Sequence, residues 1–332
     1  MAVKRTHGAG VSGSGQESSR KPTVSIVGAG RLGTALALAL TSRGYTIEAV
    51  MARTLLHARR AAKLTGTNPL ALVSTQLDQL PRSDILFITT PDDQIAEAAA
   101  GIASTIDSRS TKMKAVGKEK GNRRGQTVLH ASGALSSAAL QSLRDAGFAT
   151  GSMHPLVSVS DSVHGAESLG SAFFCVEGTP AAVAVARKLV RVLGAQSFSI
   201  KADDKALYHA AAVMASGHVT ALFDIAMEML ARCGLTERRA RKVLLPLLRS
   251  TLDNLYATDP ARALTGTFAR ADTATVRSHL AALRSVALPE ALAAYQLLGK
   301  RSLRLAKAAG ARPDALREIA RALTESTGSK GA

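Results

Sequence analysis

The chain has 332 residues, enough for about two domains with separate cores, and its 46% hydrophobic and 20% charged content fits a globular protein. Aromatic residues make up 3% and tryptophan is absent, which leaves few of the stacking platforms that single-stranded nucleic-acid binding uses. The formal net charge of +17 is uneven, with much of it in residues 1–21 and 105–126, where no apolar periodicity accompanies it. A basic tail and loop can hold an acidic partner, but a solvated surface is the simpler reading, so no specific nucleic-acid partner is expected.

Residues 1–21 are rich in Gly and Ser and read as a disordered basic tail. An apolar run, Val24 to Val27, then reads as a buried strand, followed at once by Gly28-Ala29-Gly30-Arg31-Leu32-Gly33 and by the helix formers Thr34 to Leu40. This strand, glycine turn and helix is the context in which G-x-G-x-x-G denotes a dinucleotide site. Gly28 permits the tight turn, Gly30 lets backbone approach a pyrophosphate, and Gly33 lets the helix pack on the strand. Arg31 and Leu32 lie at the helix start and join these glycines as candidate cofactor contacts.

A helix over 31–43 closes at Gly44, and a second strand spans Thr46 to Met51, with Arg53-Thr54 after it. An acid commonly stands near that point in NAD sites, whereas an Arg accommodates a 2′-phosphate. The nearby acid, Glu48, falls within the strand, so Arg53 and Thr54 favour NADP over NAD. A helix over 55–64, a strand near 71–74 and a buried strand over 84–89 follow. The last delivers Thr90 and Pro91 at its carboxyl end, where ligands of open α/β sheets bind. Beyond a helix over 93–104, residues 105–126 read as a basic surface insertion.

Strand 127–131, helix 136–146, strand 149–153, strand 172–176, helix 180–193 and strand 196–200 complete an α/β domain over residues 22–202. The alternation predicts a Rossmann-type, doubly wound parallel sheet. His154 stands at a strand end before Pro155, and His130 reads as buried in its strand.

After residue 202 the strands stop, and residues 203–326 read as a separate all-α domain for substrate binding and dimerisation. Its helices are expected continuously over 203–232, then over 237–257 with a kink at Pro246, and over 273–285, 289–309 and 313–324. Thr236 is a candidate helix start, and Asp272 or Thr273 a better N-cap. The run over 206–230 is the longest apolar one, but His209, His218, Asp224 and Glu228 interrupt it. A central Asp costs ~3 kcal/mol in a bilayer, so a buried helix is expected and a membrane span is not. Wide Ala/Leu-rich faces predict a homodimer through this domain.

Cys175 and Cys233 lack metal-ligand spacing, so no metal is expected and both read as reduced thiols of a cytoplasmic protein. No apolar signal-peptide core marks the N-terminus. Lys205, His209, Ala212 and Ser216 fall on one stripe of a helix that can face an interdomain cleft. A Lys and a His one turn apart beside a nicotinamide suit the oxygen or nitrogen formed on hydride arrival. They are the catalytic candidates, with His154 as a third, while Tyr208 reads as packing on another face.

Several stretches carry a family resemblance: Val24 to Leu36, His130 to Leu135, Gly151 to Leu156, Asp204 to Ala212, Leu245 to Leu248 and Ala263 to Thr273. In them the chain resembles a short-subunit dehydrogenase-like family with a Rossmann-like N-terminal domain and a C-terminal helical domain of unassigned function. That family is similar to pyrroline-5-carboxylate reductase, ketopantoate reductase and 6-phosphogluconate dehydrogenase-type NADP enzymes. Some of those relatives place a Lys and, four residues on, an Asn at the substrate; here these positions are Lys205 and His209. A family stretch Gly-Pro-x-x-Arg-Gly-Asp appears here with Thr267 and Ala271 in place of Pro and Gly. The resemblance and the residues together imply an NADP-dependent oxidoreductase of a small, anionic carbonyl or imine compound. The alternatives are an NADP(H)-binding sensor without catalysis and, further back, a basic protein associated with nucleic acid.

Overall fold

The computed structural model describes residues 20–115 and 125–325. Residues 1–19 of the expected tail and residues 116–124 of the expected insertion lie outside the described residues. The chain divides into two compact units, Met1–Ala212 and Val213–Ala332.

The first unit holds one eight-stranded sheet in the order β3-β2-β1-β4-β5-β6-β7-β8. Its strands are β1 (Val24–Val27), β2 (Ile47–Ala52), β3 (Leu70–Val73) and β4 (Ile85–Ile88), then β5 (Thr127–His130), β6 (Ala149–Leu156), β7 (Phe173–Gly178) and β8 (Gln196–Phe198). Between them run α1 (Arg31–Ser42), α2 (Leu55–Thr65), α3 (Asp92–Ala115), α4 (Gln141–Asp145), α5 (Ser162–Ser168) and α6 (Pro180–Leu193). Helices on both faces explain why the central strands are apolar throughout. In β4, Ile85 and Phe87 pack into the core shared with α1 and α6, while Leu86 and Ile88 pack with Ile95, Ala99 and Ile102 of α3.

The fold is a Rossmann-type, mostly parallel sheet followed by a helical region. Several features depart from the sequence reading. β6 and β7 pair antiparallel, with Gly151 opposite Gly178 and His154 opposite Cys175, while every other neighbouring pair is parallel. An apolar strand run carries no mark of direction, so strand spacing alone could not reveal this. The short α5 was also not anticipated; it has no periodic stripe and starts on a local cap, the Asp161 carboxylate accepting from Val163 N–H and His164 N–H at 3.0 Å each.

α3 runs to Ala115, so residues 105–115 continue a helix instead of beginning a surface loop. Local bonds accompany that continuation: the Thr105 hydroxyl donates to the Gly101 carbonyl at 2.9 Å, and the Ser108 hydroxyl to the Ser104 carbonyl at 3.0 Å.

α7 (Lys205–Ala215) spans the division between the units. Its first residue, Lys205, is buried, and the two units divide after Ala212. The helix expected to continue to residue 232 stops at Ser216, whose φ of −128° and ψ of −72° break the helical path before α8 (Gly217–Arg232).

The second unit continues with α9 (Glu237–Ala257), α10 (Pro260–Ala263), α11 (Gly266–Ala269), α12 (Thr273–Ser285), α13 (Pro289–Ala308) and α14 (Pro313–Ala322). Asp272 caps α12, its carboxylate accepting from Thr275 N–H at 3.0 Å and from the Thr275 hydroxyl at 2.7 Å. A small core joins α12 and α14 through Val276, Leu280, Ile319 and Leu323, with Leu292, Tyr295 and Leu303 of α13 packed against it. α8, expected to be buried, has no buried residue, and α9 buries Ala240 alone.

Candidate functional site

The glycine turn joins β1 to α1 and is held by two backbone bonds to the neighbouring strand. Gly28 N–H and Ala29 N–H both donate to the Met51 carbonyl, at 2.9 and 2.8 Å. Gly28 has φ of +105°, and a Cβ there would lie 2.6 Å from Thr89 C and Thr90 N. A Cβ on Gly33 would lie 2.3 Å from the Gly28 carbonyl oxygen. Both positions therefore require glycine for the fold itself. Gly30 differs: its φ is −79°, it is the N-cap of α1 without a side-chain cap, and a Cβ there meets nothing within 4 Å. Uncapped N–H groups facing open space at a helix start suit an anionic group.

Three neighbouring elements complete this end of the sheet. Thr89 N–H donates to the Val27 carbonyl at 2.8 Å and its hydroxyl donates to the Gly28 carbonyl at 2.7 Å, locking β4 to the turn. The Thr90 hydroxyl oxygen is buried and has no hydrogen-bond partner among the described residues. Arg53 follows β2 and is exposed, while Thr54 caps α2 and accepts from His57 N–H at 3.3 Å. The Thr54 hydroxyl also lies 3.1 Å from His57 Nδ1. Glu48 points to the other end of the sheet, where it accepts from the Ser83 hydroxyl, so it is removed from the turn.

A second cluster forms where β5, β6, β7 and α7 meet within the first unit. Lys205 is 1% exposed. Its ammonium donates to the Ser132 carbonyl at 3.1 Å and the Ser152 hydroxyl at 2.8 Å, and lies 5.6 Å from the Tyr208 ring centroid. The sequence reading let this stripe face an interdomain cleft; the ammonium is buried, with protein partners. Burial lowers its pKa from the usual lysine value. The Ser132 hydroxyl donates to Asp92 at 2.7 Å and accepts from Ala134 N–H and Leu135 N–H, which ties the loop after β5 to the start of α3.

His154 sits inside β6, which runs on to Leu156, and not at a strand end. Its Nδ1 is 2.7 Å from the Tyr208 hydroxyl, and its ring meets that of His209 edge-on with centroids 5.5 Å apart. Burial, with the charge of Lys205 beside it, pushes its pKa down to about 3, so the imidazole is neutral at physiological pH. His209 Nδ1 is buried and has no hydrogen-bond partner among the described residues. Gly133 abuts both rings: a Cβ there would lie 2.3 Å from His209 Nδ1 and 2.8 Å from His154 Nε2. His130 is structural; it accepts from Ser132 N–H at Nδ1, Nε2 bonds the Ser136 carbonyl, and burial lowers its pKa to about 4.

Lys205, His209 and His154 are thus brought together, whereas Ser216, on the same predicted stripe, lies beyond the end of α7. Sequence reasoning missed Ser152 and Thr89 and assigned Tyr208 to packing on another face. Tyr208 was within reach of the pattern, since three residues after Lys205 is the same helical face. Thr89 and Ser152 carry no such mark, because their partners come from distant strands.

Residues 10–155 match the model of a Rossmann-like domain, and residues 172–302 match a domain of unknown function, DUF2520. Neither match carries the narrower short-subunit label. No curated protein matches the chain by sequence. Among solved structures, a Thermotoga maritima protein shares 20% identity at a TM-score of 0.65, covering 86% of this chain and 99% of its own. A Bacteroides fragilis protein described as a candidate NADP oxidoreductase shares 22% at 0.64, covering 85% and 97%. The reductive aminase of Aspergillus terreus, solved with NADPH and ethyl-5-oxohexanoate, shares 15% at 0.52, covering 92% and 93%. At these identities the likeness is one of fold: a Rossmann-like domain followed by a helical one.

Proposed function

We propose that the protein is an NADP-dependent oxidoreductase of a small, anionic carbonyl or imine compound, working in the cytoplasm as a homodimer through its helical domain. The observation that carries this reading is the glycine turn, locked at Gly28 and Gly33 and open at Gly30, with the unpartnered Thr90 hydroxyl beside it. Gly28, Gly30, Arg31, Leu32 and Gly33 would hold the pyrophosphate, and Thr90 and Pro91 the nicotinamide side. Arg53, with the Thr54 hydroxyl and His57, would face a 2′-phosphate. The bound cofactor would supply a hydride. His154 and His209 would hold the substrate oxygen or nitrogen, while Lys205 keeps the Ser132 loop and β6 in place and contributes positive potential from beneath.

Titration calorimetry with NADPH and NADH tests the cofactor. A charge-assisted bond to the 2′-phosphate is worth ~1.5–3 kcal/mol, on the order of tenfold to a hundredfold in affinity. NADPH is expected to bind tighter by that factor, and Arg53→Ala to erase the difference. Equal affinities in the wild type would overturn the NADP preference. Turnover is then sought by screening small oxo-acids and cyclic imines with NADPH.

The non-catalytic sensor is the second reading, and the burial of Lys205 favours it, because two of its three ammonium protons already go to Ser132 and Ser152. Tight NADPH binding without turnover across a broad screen would support it.

A further inference from the structure

We propose that Tyr208 is a positioning residue for His154: its hydroxyl donates to Nδ1, fixes the imidazole proton on Nε2, and so makes His154 a hydrogen-bond donor toward a substrate. This rests on the reading of the cluster as a substrate site, although the tautomer itself is measurable without any substrate.

The geometry leaves Tyr208 little freedom. Its hydroxyl is 2.7 Å from His154 Nδ1, and its ring meets the His154 ring edge-on, with centroids 5.6 Å apart and planes at 86°. Phe198 meets it from another side at 5.9 Å, and the Lys205 ammonium lies over it at 5.6 Å. That ammonium is itself pinned to Ser132 and Ser152. His154 faces Lys205, His209 and His130 and stays neutral, so it carries one proton to place.

Two arrangements satisfy the pair. If Nδ1 carried the proton, the Tyr208 oxygen would accept it and its own proton would turn to Cys175, the other group beside the Tyr208 hydroxyl. A thiol is a weak acceptor and a bare imidazole nitrogen a strong one. The arrangement with Tyr208 donating to Nδ1 is therefore favoured, and Nε2 carries the hydrogen.

Nε2 is the nitrogen next to Gly133, where the missing side chain lets the backbone approach both imidazoles and leaves no side chain between them. A donor at Nε2 has a consequence for the class of substrate. It bonds a carbonyl oxygen or a neutral imine nitrogen, whereas a protonated iminium would bring its own N–H against it, near the Lys205 ammonium. The cluster accordingly selects neutral or anionic acceptors over cationic iminium compounds.

Nitrogen-15 NMR of the full chain labelled at histidine tests this, the His154 signals being assigned by their loss in His154→Asn. The wild type is expected to show a bare Nδ1 and a protonated Nε2, with this tautomer in excess by up to about tenfold. Tyr208→Phe keeps the ring and removes the donor, so the two nitrogens should move toward averaged values while NADPH affinity is unchanged. Cys175→Ala should leave the wild-type pattern intact. A proton on Nδ1 in the wild type, an unaltered tautomer in Tyr208→Phe, or a switch in Cys175→Ala would each overturn the role. Should Tyr208→Phe fail to fold, the wild type and Cys175→Ala still decide. Absence of NADPH binding would instead count against the oxidoreductase reading and leave the tautomer result standing.

Discussion

Three glycines of one motif have different physical reasons to be glycine. Gly28 and Gly33 are fixed by the protein's own backbone, since a Cβ at either would fall within 2.6 Å of a neighbouring atom. Gly30 has neither a positive φ nor a close neighbour. A side chain there is costly only if something else occupies the space. Gly30→Val is therefore expected to melt within about a degree of the wild type, as an unstrained surface change does, and to lose dinucleotide binding. Gly33→Ala is expected to fold poorly instead. Calorimetric titration beside thermal melts separates the two, and retained NADPH affinity in Gly30→Val would remove the turn from the cofactor site. This level was legible in the sequence because the motif is contiguous. The Lys205 contacts were not: Ser132 and Ser152 stand 73 and 53 residues away, joined to it only by the order of strands in the sheet.

At the scale of elements, helix limits followed closely from periodicity and caps; α9 and α12 begin and end where the pattern places them, at Glu237–Ala257 and Thr273–Ser285. What periodicity lacks is direction and interruption. It could not tell that β7 runs against β6, nor that the apolar run after residue 203 breaks at Ser216. Helix ends also hold strain. Ala271 has φ of +52°, and Ala287, just after α12, has φ of +53°. An L-residue costs ~1–2 kcal/mol in this region, against ~0.5–1 kcal/mol for the unfolded-chain entropy of Gly. Ala287 is exposed, so Ala287→Gly gives up no packing and should stabilise by about 0.5–1 kcal/mol. Ala271 packs against the Val276 and Ile319 core, so its methyl offsets part of the gain and Ala271→Gly should fall nearer to zero. Urea unfolding of both variants checks the order. A destabilised Ala287→Gly would show that its backbone strain is not what limits that turn.

At the scale of the whole molecule, the second unit exposes more apolar surface than a free helical domain is expected to show. On α9, Val243, Leu247 and Leu255 are 53%, 63% and 46% exposed, and Tyr256 is 91% exposed. On α13, Leu297 is 70% exposed. The stretch Ala202–Arg232 is long and apolar enough to cross a membrane by length and composition, yet it breaks at Ser216 and carries Asp224 and Glu228 on α8. An Asp within a span costs ~3 kcal/mol, and α9 alternates its leucines with Arg and Asp, so lipid is a poor cover for both helices. A second copy of the same faces is the cover proposed here, and a stable interface of that kind buries roughly 1,200–2,000 Å². The expected species in light scattering at micromolar concentration is twice the 34.4 kDa chain. Leu247→Glu places a charge on the most exposed leucine of α9, where an unpaired buried charge costs several kcal/mol, and should shift the equilibrium to monomer. Its first unit should still bind NADPH, since the turn and Thr90 lie wholly within Met1–Ala212. A wild type that runs as a single 34.4 kDa species would remove the dimer.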